Sequence, residues 1–168
     1  MTRDRDPAGR PRNARPRDAL GRPLDREEAE TGHERIPDDL VITGTDAAAL
    51  ADRLLREGRP FHAHEVLEAA WKSAPPGERD LWQGLAQIAV GLTHARRGNV
   101  RGAATLLRRG AERVRARPGP PGEPGREHPY GMDIPAVLAA CAALAARIER
   151  HGLDDIPAAD LSPRLLVP

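Results

Sequence analysis

Between Asp80 and Arg96 lie fifteen residues without a formal charge, LWQGLAQIAVGLTHA. The run is too short to span a bilayer, which takes roughly 20 predominantly apolar residues. It is also too apolar all round for a surface helix, which keeps one face polar. It therefore predicts a helix from about Arg79 to Arg97, buried at the centre of a domain whose other elements must cover it.

Those elements are legible on either side. In TDAAALADRLLREG, Asp46 is placed as an N-cap, Leu50, Leu54 and Leu55 supply apolar positions, and Gly58 is a C-terminal stop. Pro60 suits the first turn of a second helix that runs through FHAHEVLEAAWKS until APPG ends it. Gly98 closes the central helix and Asn99 caps VRGAATLLRRGAERVRAR. There Val100, Ala103, Ala104, Leu107, Ala111 and Val114 share one face while arginines crowd the other. After the loop PGPPGEPGREHPYG, Asp133 caps IPAVLAACAALAARIERHG, with Pro135 in its first turn and Gly152 at its end.

No stretch keeps the strict alternation of a half-buried strand for more than a few residues. The expected fold class is all-α, a compact bundle of four to five short helices over residues 39–152. Residues 1–38 are polar, charged and punctuated by Pro and Gly. They bury too little apolar surface to offset ordering entropy, so a disordered tail is expected. Residues 153–168 read as an extended tail whose Leu161, Leu165, Leu166 and Val167 can pack back onto the body. Phe61, Trp71, Trp82 and Tyr130 are the large rings, each expected to anchor packing.

Lys72 is the single lysine among 26 basic residues, the signature of a genome that favours arginine codons, so arginine counts carry less weight here. The net charge of +1 argues against a binder of bulk polyanions. Cys141 alone excludes an internal disulfide and a cysteine-based zinc site. The N-terminus has no apolar core of a secretory signal, and its prolines and aspartates break an organelle presequence. A cytoplasmic protein without a membrane partner is expected.

The chemistry is concentrated in FHAHEVLEAAW, Phe61 to Trp71. At about 100° per residue, with His64 at zero, Glu68 falls near 40°, Trp71 near −20°, Phe61 near 60° and Leu67 near −60°. His64 and Glu68 thus share the arc of the large apolar side chains. Glu65 lies at its edge and His62 on the far side, toward water. Buried imidazole and carboxylate must be paired, hydrogen-bonded or metal-bound. On the central helix, Gln83, Gln87 and His94 cluster, flanked by Gly84 and Gly91, each costing about 1 kcal/mol relative to alanine. Antiparallel packing of the two helices brings His64 and Glu68 toward Gln87 and His94. HEVLE shares only its first two residues with the zincin H-E-x-x-H, because Glu68 stands where the second metal histidine belongs, so a metalloprotease is set aside.

EGRPFHAHEVLEAAW, LWQGLAQIAVGLTHARRGNVRGAATLL and YGMDIPAVL, in that order, resemble the family known as domain of unknown function 309. The resemblance runs from about Leu54 to Arg150 and implies a compact helical bundle with no settled activity. Positions typical of that family recur here: Phe61, His64, Glu65, Glu68 and Trp71, then Gly84, Gln87, Ala89, His94, Gly98, Asn99 and Gly102, then Tyr130, Gly131 and Asp133. The resemblance implies that these polar residues belong together.

Several readings follow. His64, Glu65, Glu68, Trp71, Gln87 and His94 line a small-ligand pocket; or His64, Glu68 and His94 hold a divalent metal ion, with Glu65 as further ligand or base. The cluster can instead be a hydrogen-bond network that sets helix register, or an acid/base pair, although no reaction can be assigned. A ligand or metal is favoured by economy: one register-fixing bond does not need two imidazoles, two carboxylates and two helix glycines. A different class of function is suggested by Arg96, Arg97, Arg101, Arg108, Arg109, Arg113, Arg115 and Arg117, opposed only by Glu112. Such a face can touch nucleic-acid phosphates, but no aromatic residue interleaves it to stack bases, and a solvated face is the simpler reading. His33, His128 and His151 are expected at the surface. A homodimer through an apolar face is open, and no residue pattern specifies one.

Overall fold

The computed structural model describes residues 16–25, 36–37, 39–118 and 125–168. Among them are five α-helices: α1 (Gly44–Arg56), α2 (Pro60–Ser73), α3 (Arg79–Arg96), α4 (Val100–Ala116) and α5 (Ile134–His151). Single 3₁₀ turns at Pro76–Glu78 and Pro129–Gly131 lead into α3 and α5. No strand occurs among the described residues, only two isolated bridges. The class is all-α, and each helix packs chiefly on its neighbours in sequence, with α3 central between α2 and α4.

Local chemistry sets the boundaries. Asn99 accepts from the Gly102 amide and Asp133 from the Ala136 amide, capping α4 and α5 as expected. Gly58 (φ 73°) and Gly98 (φ 81°) end α1 and α3 in the left-handed region. Asn99 N bonds His94 O and Gly98 N bonds Ala95 O, the paired closure that a glycine just past the helix permits. The start of α1 differs from expectation. Its N-cap is Thr43, not Asp46: Thr43 is extended (φ −73°, ψ 156°) and accepts from the Asp46 amide. Asp46 answers from the third helical position by accepting the Thr43 hydroxyl at 2.6 Å, so the helix begins before the residue best suited by type to precede it.

Alanine builds much of the core. Ala47, Ala48, Ala51, Ala63, Ala89, Ala103 and Ala145 are sealed, with Trp82, Leu85, Leu92, Leu107 and Ile148 as larger fillers. Between α3 and α4 the helices approach closely enough to exclude a methyl group. A Cβ on Gly84 would lie 2.8 Å from the Gly110 carbonyl oxygen, and one on Gly91 would lie 3.0 Å from the Leu107 amide. What Gly84 and Gly91 admit is thus the backbone of α4. Val100 is the exception on the apolar face of α4, 41% exposed at the first turn.

The C-terminal segment packs back. Leu165 is buried, Leu161 and Leu166 are partly so, and Val167 stays out. Buried Asp52 on α1 accepts the amides of Leu165 (2.8 Å) and Leu166 (3.3 Å), and the Arg56 guanidinium neutralises it at 2.8 Å. The expected disordered tail falls largely outside the described residues. Of those described, Arg17 and Pro23 bridge across a turn that rests on Phe61. No described helix is long and apolar enough to cross a membrane.

Candidate functional site

Helix α2 turns its small side inward. Pro60, His62, Ala63, Val66, Leu67, Ala69 and Ala70 are buried. His64 and Glu68 keep side-chain exposures of 25% and 37%, and Phe61, Glu65 and Trp71 are half-buried with them. The expected orientation is therefore corrected: His62, placed toward water, is sealed, while His64 and Glu68, placed inward, sit at the rim. Large rings are the wrong marker of the core side on this helix. The opposite arc of α2 is lined with alanines, which let it come close to α1 and α3. Phe61 instead lies beneath two guanidinium groups, Arg17 at 5.1 Å and Arg97 at 5.9 Å from the ring centre. Arg97 also donates to the Leu20 carbonyl, which holds the N-terminal turn in place.

Along the rim runs a charge ladder. His64 Nε2 is 3.5 Å from Glu68 Oε2, and Lys72 Nζ is 3.0 Å from Glu68 Oε1. Burial lowers the His64 pKa, Glu68 opposes the shift and Lys72 adds to it. The imidazole is accordingly neutral at neutral pH. The facing carboxylate favours the proton on Nε2, which leaves Nδ1 as an acceptor. That Nδ1 is buried and has no hydrogen-bond partner, and Gln87 Oε1 on α3 is in the same condition.

The other polar residues of α3 have structural partners. Gln83 Oε1 accepts from Arg113 (2.7 Å), which also reaches Asp80 at 3.1 Å. His94 Nδ1 lies 2.7 Å from Asn99 Nδ2, while Asn99 Oδ1 takes the Gly102 amide at 2.9 Å. The imidazole thus backs the cap of α4, and Gly102 is required there because a Cβ would lie 2.8 Å from His94 Nδ1. Among the described residues, no three His, Cys, Asp or Glu side chains are arranged to hold a metal ion. His64, Glu68 and His94, with or without Glu65, are not gathered into a ligand set. Cys141 is buried, and burial pushes its thiol up to about 12, so it is not a nucleophile at neutral pH.

Several arginines of the run from Arg96 to Arg117, on α4 and at its flanks, are committed to internal contacts. Arg108 pairs with Glu149, Arg113 with Asp80, Arg96 donates to Ser162, and Arg117 donates to Val114 O and Arg126 O. Arg101, Arg109 and Arg115 are exposed without an ion-pair partner among the described residues, a thin basis for gripping a phosphate backbone.

A cavity of about 220 Å³ opens at the other end of α3, lined by Gly77, Glu78, Leu81, Arg117, Pro118, Arg126, Pro129 and Tyr130. Of these, the sequence pointed to Tyr130 as a packing ring and to Arg117 as part of a basic face, not to a shared site. Glu78 and the two arginines are far apart in the chain, and the only local signal is the Pro-Tyr-Gly turn.

One relative, the uncharacterized protein YpuF of Bacillus subtilis (strain 168), is 48% identical over 48 residues. The match covers 28% of this chain and 28% of the relative. No solved structure matches. Residues 49–106, from within α1 to within α4, match the family described as Domain of unknown function (DUF309).

Proposed function

We propose that the chain is a small-ligand-binding helical bundle whose site is the half-buried stripe shared by α2 and α3. The carrying observation is the pair of buried, unpartnered acceptors, His64 Nδ1 and Gln87 Oε1. The two helices are antiparallel neighbours: Gly58 before α2 lies beside Arg96 at the end of α3, and Phe61 lies beneath Arg97. On this reading the two stripes run alongside one another on the same side of the bundle. A buried acceptor without a donor is destabilising by about 1–3 kcal/mol, so a ligand that donates to both relieves that cost. The matching chemistry is a small amine or alcohol, with the Glu68 carboxylate beside it to balance a cation. A divalent ion is the other group that bare acceptors take, but the absence of a three-ligand set among the described residues favours the organic donor.

Ethanolamine and glycerol are suitable probes, followed by nitrogen NMR of the His64 ring. Saturable movement of the Nδ1 resonance, lost in Gln87→Leu, supports the site. No movement with either probe, together with a crystal structure in which water alone bridges His64 and Gln87, removes it. Elemental analysis of the purified chain tests the metal reading separately. The purely structural reading draws on His94, whose bond to Asn99 serves the α4 cap. On that reading His64 and Gln87 variants change stability alone.

A further inference from the structure

The cavity at the start of α3 carries a second, independent inference. Tyr130 adopts φ 55° and ψ 27°, a left-handed conformation that a bulky residue avoids. Such strain persists only where the surroundings over-determine it, and it clusters at binding and catalytic sites. Here three contacts hold the ring. Its hydroxyl donates to Glu78 Oε2 at 2.6 Å, its face lies 5.3 Å from the Trp82 ring, and Gly44 passes beneath it. Trp82 Nε1 reaches the same Glu78 oxygen at 3.3 Å. Glu78 is therefore held in the wall by two donors from different elements.

Facing that wall are two guanidinium groups that hold each other in place through the backbone. Arg126 donates to the carbonyls of Arg117 (2.9 Å), Pro118 (2.6 Å) and Arg115 (3.1 Å). Arg117 donates to Val114 O (2.7 Å) and to Arg126 O. A guanidinium carries five N–H donors, so each retains donors beyond these bonds. Among the described residues neither arginine has an ion-pair partner. Burial, and then the charge of Arg126, lower the Arg117 pKa, as expected of two cations sharing a desolvated wall.

Two positive charges and one negative charge in the lining leave a net charge of +1, which matches a monoanion. We propose that this cavity binds a small oxyanion, a carboxylate or phosphate group, on the remaining donors of Arg117 and Arg126, with its apolar part against Leu81 and the Tyr130 ring. Planar donor forks suit such groups in either case.

Calorimetric titration of the full chain with sodium propionate and, separately, with inorganic phosphate tests this, with sodium chloride as the ionic-strength control. The expected result is saturable one-to-one binding of one oxyanion, distinct from chloride. Propionate alone identifies a carboxylate site, and phosphate alone a phosphate site. Arg126→Gln weakens binding by about tenfold, the loss of one charge-assisted contact. Glu78→Gln keeps an acceptor for Tyr130 and Trp82 but removes the opposing charge, so it tightens binding severalfold. These opposite directions hold the test open even if Arg126→Gln fails to fold, because Glu78→Gln preserves the wall. No saturation by either probe up to about 10 mM, weaker than any useful affinity, overturns the proposal. Binding indifferent to Glu78→Gln overturns it as well.

Discussion

Helix α3 has two unlike sides. Toward α4 it is closed: Gly84, Gly91 and Gly110 let the backbones meet, and Leu107 and Val114 fill what remains. Toward the rim of α2 it carries Gln87 with a bare buried oxygen, opposite a helix whose His64, Glu65 and Glu68 remain partly open. One side spends its composition on close packing, the other on polar groups that packing alone would not select. Close packing is concentrated on the first side and unpartnered polar atoms on the second, and the contrast can be broken by mutation.

The largest effect belongs to the closed side. Leu107→Ala should be destabilising by about 2–5 kcal/mol in urea denaturation, since the α3–α4 contact is held too tightly to collapse around the void. Gly110→Ala comes next. Its Cβ would meet the Gly84 carbonyl at 2.6 Å and the Ile88 amide at 2.9 Å. Overpacking of about 1–3 kcal/mol should outweigh the roughly 1 kcal/mol gained in helix propensity. A stabilised Gly110→Ala protein would show that the two helices are free to separate. Asn99→Ala, which removes the α4 cap and the partner of His94, should lower stability by about 0.5–2 kcal/mol in the same assay.

The rim should respond weakly, and in part with the opposite sign. Gln87→Leu removes an unpartnered buried oxygen and should leave the melting temperature unchanged or raised in ligand-free protein. A large loss would mean that Gln87 has a structural partner and that the two sides are not so different. His64 supplies the smallest effect, visible through pH. Its folded pKa lies below the ordinary 6.5, so the unfolded chain binds the proton more readily. Its contribution is therefore present above about 6.5 and fades as pH falls through that value toward the folded pKa. Replacing it with Gln should flatten this part of the stability–pH curve, read by urea midpoints across the range.

The helices were legible because their signals are local. Asn99, Asp133, Pro60, Gly58, Gly98 and Gly152 act within one turn of where they stand, and the charge-free run of α3 announces burial without reference to any partner. The cap of α1 was missed by a few residues because Thr43 and Asp46 are both good caps, and their reciprocal bonds, not residue type, select the first. The orientation of α2 was read in reverse for a deeper reason. Both of its arcs carry apolar residues, rings on one and alanines with Val66 on the other, with Leu67 at the border between them, so periodicity alone does not rank them.

What the sequence by itself determined is the class of fold, a bundle of four to five helices and their order, the burial of α3 and the polar composition of α2. These follow from hydrogen bonding and side-chain period within single segments. Only the tertiary structure decided which histidine is sealed, that Gly84 and Gly91 face a backbone, that His94 belongs to a cap, and that Glu78 and Tyr130, 52 residues apart, share one hydrogen bond. Each of those outcomes depends on which surfaces of different helices meet. Close contact between small residues settles that through packing, and no single segment encodes it.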